Sequence, residues 1–98
     1  MVKKTNKNKG IFITFEGGEG SGKSTQIQKL KNNILGFISD VEIVISREPG
    51  GTEEGEKIRK FLVSGETNSW DPYSEALIFN AIRREHINKV IKPAIGSG

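Results

Sequence analysis

The sequence predicts an α/β fold in which helices cover both faces of a parallel sheet. Two short apolar runs rich in β-branched and aromatic residues, Ile11–Glu16 and Val41–Ser46, predict buried strands. Between them, Ser24–Leu35 carries apolar residues at helical spacing, namely Ile27, Leu30 and Ile34. A strand–helix–strand unit of this length requires parallel strands joined by a right-handed crossover. We therefore expect a three-layer α/β/α architecture.

A glycine-rich segment joins the first predicted strand to the first helix. Gly17–Thr25 reads GGEGSGKST and matches the phosphate-loop pattern G-x-x-x-x-G-K-[ST]. Glycines lack a Cβ, so successive backbone N–H groups can point at a polyphosphate, and the following helix adds the positive end of its dipole. The pattern in this context predicts a P-loop NTPase-type fold with ATP bound by Gly17, Gly18, Glu19, Gly20, Ser21, Gly22, Lys23, Ser24 and Thr25.

Two side chains of this loop carry most of its chemistry. Lys23 is predicted to reach the β- and γ-phosphates, and the Ser24 hydroxyl is predicted to bind Mg²⁺. A G-x-G-x-x-G pattern typical of dinucleotide sites overlaps at Gly18 and Gly20, but Lys23 and Ser24 favour a triphosphate.

The segment Arg47–Thr52 (REPGGT) follows the second predicted strand at its carboxyl end. Ligands of open α/β sheets bind outside the carboxyl ends of the strands, so this segment should border the same site as the phosphate loop. Thr52 is a predicted N-cap for a helix that runs to about Ser64. Within it, Glu56 and Lys60 are spaced for an i, i+4 ion pair.

A third helix is predicted from an N-cap at Asp71 to about Ile91, where Pro93 should end it. A proline occupies its first position, where the absent N–H costs nothing. Phe79 and Arg83 are four residues apart and so share one face of this helix.

Composition sets limits on the class of protein. Ninety-eight residues with 34% apolar and 28% charged content suit one small soluble domain. No run approaches the ~18 apolar residues of a membrane span, no secretory signal pattern is visible, and the absence of cysteine excludes disulfides and thiolate chemistry. We expect a cytoplasmic protein that binds neither membrane nor nucleic acid.

The net charge of +3 comes from the first nine residues. Removing their four lysines leaves 11 basic residues against 12 acidic ones, so residues 10–98 are nearly neutral. A flexible basic tail over residues 1–9 is the simplest interpretation. A nucleic-acid-binding surface would instead concentrate its positive charge on the folded part.

The sequence as a whole resembles thymidylate kinase, a P-loop nucleoside monophosphate kinase. The matching segments, between Gly10 and about Ile95, are FITFEGGEGSGKST, SREPGGTEEGEKIRKFL, EALIFNAIRREH and VIKPAI. The resemblance implies phosphorylation of dTMP to dTDP by ATP with Mg²⁺, as a step of dTTP biosynthesis. It also implies a homodimer of the full-length protein, paired through the second and third helices.

The resemblance also implies roles for individual residues. Phe79 would stack on the thymine ring, and Arg83 would donate to a base carbonyl. Glu19 would accept from the 3′-hydroxyl of the sugar, and Arg59 would approach the dTMP phosphate.

The remaining residues of the predicted acceptor site are two neighbours in the REPGGT segment. Arg47 and Glu48 would border the acceptor, with Arg47 and Lys23 in catalytic roles. His86, the single histidine, has no partner visible in the sequence and is interpreted as structural.

The sequence departs from the family pattern at its end. The family's D-R-[YF] segment, its lid and its C-terminal helices have no counterpart here, and in that fold the strand after Ile95 lies between the two strands predicted above. We therefore expect the N-terminal half of a kinase domain. The alternatives are a non-catalytic nucleotide-binding fragment and another P-loop nucleoside monophosphate kinase.

Overall fold

A computed structural model describes residues 10–98, so the predicted basic tail at residues 1–9 lies outside the described residues. The described part contains four α-helices and one π-helical turn. They are α1 (Lys23–Phe37), α2 (Glu53–Val63), α3 (Pro72–His86), the π-helical segment Ile87–Ile91, and α4 (Lys92–Ser97). None of these helices has both the length and the apolar character that crossing a membrane requires.

The predicted parallel sheet is not formed within residues 10–98. Both segments expected to be strands, 11–16 and 41–46, have irregular backbone in the structure. Parallel strands need a ladder partner and cover on both faces, whereas Ile11 is 86% exposed and Val44 is 52% exposed. Segment 10–16 instead contacts the other end of the chain, where the Gly10 N–H donates to the Ile95 carbonyl at 2.8 Å.

Helices α1 and α2 agree with the sequence predictions. Helix α1 begins directly after the glycine loop and ends with the Ile38 N–H bonded to the Ile34 carbonyl. Helix α2 has the predicted cap, since the Thr52 hydroxyl accepts a hydrogen bond from the Gly55 N–H at 2.9 Å. Three glutamates in its first turn face the positive end of the helix dipole.

Helix α3 begins as predicted but does not end as predicted. Its N-cap is Asp71, whose Oδ1 accepts from Tyr73 N–H (2.7 Å) and Ser74 N–H (3.0 Å). The helical path continues past Pro93, so the prediction that this proline ends the helix was wrong. The π-helical turn gives the reason, because Lys92 N–H bonds five residues back to the Ile87 carbonyl, and this wider turn accommodates a ring that would clash in an uninterrupted α-helix.

Packing between the helices is limited. Helices α2 and α3 contact each other, with the Phe61 and Trp70 rings in an edge-to-face pair 5.6 Å apart. Ile82 is the one apolar side chain of the described residues that is buried in the core. The Cα radius of gyration is 16.5 Å, against about 13 Å for a compact domain of this length.

Candidate active site

The glycine loop before α1 has the backbone that its sequence requires. Gly20 (φ 73°) and Gly22 (φ 89°) lie in the left-handed region, which residues with a Cβ rarely adopt. The Ser21 N–H closes a turn on the Gly18 carbonyl at 3.3 Å. No side chain caps the first turn of α1, so its N–H groups remain directed at an open depression lined by residues 18–25. Such a depression suits an anion.

Lys23 lies at the mouth of this depression. Its Nζ donates to the Gly17 carbonyl at 2.5 Å, which folds the side chain back over the loop. An ammonium group has three protons, so this bond leaves two for phosphate oxygens. The structure therefore holds the predicted phosphate-binding lysine against the glycine loop.

Ser24 provides one exposed hydroxyl in the first turn of α1. The described residues hold no group of three or more acidic, histidine or cysteine side chains that could bind a metal by themselves. Mg²⁺ commonly keeps several waters and takes one or two protein ligands together with phosphate oxygens. A single hydroxyl beside the glycine loop is therefore compatible with Mg²⁺ coordination of this kind.

The segment after residue 46 is joined to the start of α2 by an ion pair. Arg47 donates to both carboxylate oxygens of Glu56, with Nη2 to Oε1 at 2.6 Å and Nε to Oε2 at 3.3 Å. The Gly51 N–H also donates to Glu56 Oε2, at 3.0 Å. The hydrogen bonds from Arg47 and Gly51 lower the pKa of Glu56 to about 2.

This ion pair corrects one sequence prediction. Glu56 was expected to pair with Lys60 along its own helix, but its carboxylate points at the loop instead. A planar guanidinium offers two parallel hydrogen bonds, which outcompete a single exposed lysine one turn away.

A second ion pair joins the same loop to α3. Glu48 Oε1 accepts from Arg83 Nε at 2.8 Å, although the two residues are 35 positions apart. Glu48 Oε2 contacts His86 Nδ1 at 3.0 Å. Burial acts to raise the pKa of Glu48, but the hydrogen bonds from His86 and Arg83 outweigh it, so the pKa lies below its ordinary value. The structure thus brings two predicted substrate-binding residues together.

His86 also contacts Ser46, through its second ring nitrogen. His86 Nε2 and Ser46 Oγ are 2.6 Å apart, and His86 is 4% exposed. Neither Ser46 nor Glu56 was predicted from the sequence as part of the site, and His86 was interpreted as structural. The one signal that could have found His86 is its place on the same helical face as Phe79 and Arg83.

The remaining predicted residues differ in how they relate to this network. Arg59 donates to the Pro49 carbonyl at 3.1 Å, so it touches the REPGGT segment rather than an acid on its own helix. Phe79 is 39% exposed on α3, one turn before Arg83. Glu19 is exposed in the glycine loop and has no hydrogen bond to another described side chain or backbone group.

Comparison with known proteins identifies relatives over most of the chain. A family model described as thymidylate kinase matches residues 15–98. A protein named thymidylate kinase from Caulobacter vibrioides is 47% identical over 89 residues, which is 91% of this chain and 42% of that protein. A thymidylate kinase from Magnetococcus marinus is 49% identical over 89 residues, covering 91% of this chain and 41% of that protein.

A third relative extends the same match. A thymidylate kinase from Ruegeria pomeroyi is 43% identical over 89 residues, again 91% of this chain and 41% of that protein. The chain thus spans about two fifths of the length of the relatives it matches. No solved structure matches the chain significantly. The family implies a P-loop NTPase fold, and the match over residues 15–98 shows that the chain belongs to the thymidylate kinase family.

Proposed function

We propose that this chain provides the phosphate loop and the acceptor site of a kinase that transfers the γ-phosphoryl group of ATP to dTMP. The observation that carries the proposal is the convergence of the two most family-specific segments. The REPGGT segment hydrogen-bonds to the helix bearing Phe79 and Arg83, through the Glu48–Arg83 pair at 2.8 Å. The names of the relatives from three organisms support the same reaction class.

The reaction needs no nucleophile from the protein. A phosphate oxygen of dTMP attacks the γ-phosphorus, the bond to the β,γ-bridging oxygen breaks, and ADP leaves. Catalysis then consists of positioning and of neutralising the negative charge that develops. The loop amides and Lys23 hold the donor phosphates, while Arg47 and Arg59 add positive charge beside the acceptor.

The acceptor base would be held by the exposed part of α3. Phe79 offers a partly exposed ring for stacking, a contact typically worth about 1–3 kcal/mol per base. Arg83 donates to a base carbonyl, and Glu19 accepts from the sugar hydroxyl. Mg²⁺, held by Ser24 and the phosphates, would neutralise charge on the β- and γ-oxygens.

An ADP-release assay on the whole protein tests the proposal, with dTMP, dCMP and AMP compared as acceptors. Turnover preferring dTMP is expected. ATP binding without ADP release would favour the non-catalytic nucleotide-binding fragment instead. Preference for dCMP or AMP would favour another nucleoside monophosphate kinase.

A matched pair of lysine variants tests the role of the loop within that assay. Lys23→Met removes the ammonium beside the donor phosphates, and turnover should fall roughly 10²–10³-fold, the usual cost of losing one preorganised charge donor. Lys29→Met removes an equivalent charge on the exposed side of α1 and should leave turnover unchanged. Normal turnover in Lys23→Met would overturn this assignment.

We also propose that the whole protein pairs with a second copy through α2 and α3. Large apolar side chains on these helices support this, since Val63, Tyr73 and Leu77 are 68%, 84% and 71% exposed. Sedimentation velocity on the whole protein is the test, with Leu77→Lys expected to shift it to monomer.

A further inference from the structure

The REPGGT segment is wound around one buried imidazole. Both ring nitrogens of His86 have a partner in or directly before this segment: Ser46 Oγ, one residue before it, at 2.6 Å, and Glu48 Oε2, within it, at 3.0 Å. The ring also lies against Gly51, where any Cβ would collide with it. Gly51 has φ 88°, a conformation suited to glycine. His86 therefore contacts the loop at three points, Ser46, Glu48 and Gly51, which span six residues.

The protonation of the ring follows from its partners. An ionised carboxylate can only accept hydrogen bonds, so the contact with Glu48 requires the proton on Nδ1. In the neutral ring, Nε2 then accepts from the Ser46 hydroxyl. The hydrogen bonds therefore run in one direction: Ser46 donates to His86, and His86 donates to Glu48.

The hydrogen bond with His86 limits the orientation of the Glu48 carboxylate, which in turn limits the orientation of Arg83. One carboxylate oxygen accepts from His86 and the other accepts from Arg83 Nε at 2.8 Å, so fixing the first oxygen fixes the second. The bond uses only Nε of the guanidinium. The two terminal amino groups make no hydrogen bond to another described residue, and the Arg83 side chain is 56% exposed. They are therefore available to a ligand.

We infer that His86 is a positioning residue for base recognition, holding Glu48 so that Glu48 orients the guanidinium of Arg83 toward the acceptor base. The inference rests on the proposed function, because it requires Arg83 to contact the base. His86 itself is buried at 4% exposure, so it would act on the base only through Glu48 and Arg83. Its loss frees both carboxylate oxygens of Glu48 to move and leaves the guanidinium without a fixed orientation.

The first test needs no substrate. In nitrogen-15 NMR spectra of the 98-residue chain, the Arg83 Nε–H should exchange slowly with solvent because it is hydrogen-bonded. His86→Ala should accelerate this exchange at least roughly tenfold, while Thr67→Val should not. Thr67 is a matched control, since it is equally buried and hydrogen-bonds to Glu75 elsewhere in the fold. Unchanged exchange in His86→Ala would overturn the inference.

The second test is a double-mutant cycle on base preference. The ratio of dTMP to dCMP affinity is measured by calorimetry for the wild-type chain, His86→Ala, Arg83→Ala and the double variant. We expect His86→Ala to reduce the ratio roughly tenfold, and to have no further effect once Arg83 is alanine. Arg84→Ala removes the neighbouring exposed arginine and should keep the ratio.

The outcomes separate the inference from the proposed function. A wild-type chain without preference for dTMP contradicts the proposed function. A wild-type preference that survives His86→Ala, or additive losses in the cycle, contradicts the positioning role alone. His86→Gln, whose amide can donate to Glu48 and accept from Ser46, should recover part of the preference if positioning is the cause.

Discussion

At the scale of single residues, Gly51 is a position with little tolerance for a side chain. Its φ of 88° and the adjacent His86 ring both exclude a Cβ. Gly51→Ala should therefore destabilise the loop, by about 1–3 kcal/mol from backbone strain alone. Urea unfolding followed by circular dichroism measures the loss.

Gly36→Ala is the matched control for this substitution. Gly36 lies within α1 with open space around the Cβ position, so alanine there should be neutral or stabilising by up to about 1 kcal/mol. Equal effects of the two substitutions would contradict the contact between Gly51 and the imidazole.

Glu56 gives a residue-scale prediction about pH. Its pKa falls from 4.5 to about 2 in the folded chain, so the unfolded state binds more protons between these values. The stabilisation is therefore complete above pH 4.5 and is lost as the pH falls toward 2. Because the Glu56 side chain is 37% exposed, solvent screening keeps the effect below about 1 kcal/mol.

Unfolding at pH 6, 4 and 3 measures this dependence. Glu56→Gln should remove part of the stability loss between pH 4.5 and 3, because an amide does not titrate. Glu42→Gln, at an exposed carboxylate outside the described ion pairs, should leave the loss as it is in the wild-type chain. A wild-type profile in Glu56→Gln would contradict the Arg47–Glu56 pair as its source.

At the scale of elements, the start of α3 depends on one side chain. Asp71 satisfies two N–H groups of the first turn, and its carboxylate faces the positive end of the helix dipole. Asp71→Ala should cost about 0.5–2 kcal/mol of stability, measured by urea unfolding. The exposed Asp40 precedes no helix, so Asp40→Ala should change stability little.

The two ends of α3 differ in how well local sequence specifies them. The N-cap and the proline at the first helical position act within one turn, and both were predicted correctly. The end was not, because a π-helical turn at Ile87–Ile91 carries the path past Pro93. Such a turn depends on how the helix packs, which includes the burial of His86 at its start, and not on the identity of the proline alone.

At the scale of the whole molecule, the exposed apolar surface is the main feature. Ile11 and Phe12 are 86% and 57% exposed in a segment that the sequence predicts, and the structure does not form, as a strand. Apolar segments with unpaired backbone groups associate readily with other chains. Sedimentation velocity should show species larger than a dimer as concentration rises.

A double variant, Ile11→Lys with Phe12→Lys, should reduce that association. Thr14→Lys adds a charge to the same segment without removing an apolar side chain, and should have a smaller effect. Equal suppression by both would assign the association to general charge rather than to the apolar segment.

Much of the candidate site could be predicted only through resemblance to a family. Nothing in the sequence indicates that Glu48 pairs with Arg83, which lies 35 positions away. Nor does the sequence indicate that Glu56 pairs with Arg47 and not with Lys60. Such contacts depend on the path of the loop between residues 46 and 56. Local patterns say which side chains can form an ion pair, but the fold selects the partner.

The sequence by itself determined the features that act within one helical turn: the turns of the glycine loop, the caps at Thr52 and Asp71, and the shared face of Phe79 and Arg83. Only the tertiary structure decided that His86 lies against the loop that begins at Ser46, and that residues 11–16 and 41–46 are not paired as strands within residues 10–98. The physical reason is range. A cap or a glycine turn needs neighbours a few residues away, whereas a strand or a buried imidazole needs partners that the chain brings from far along its length.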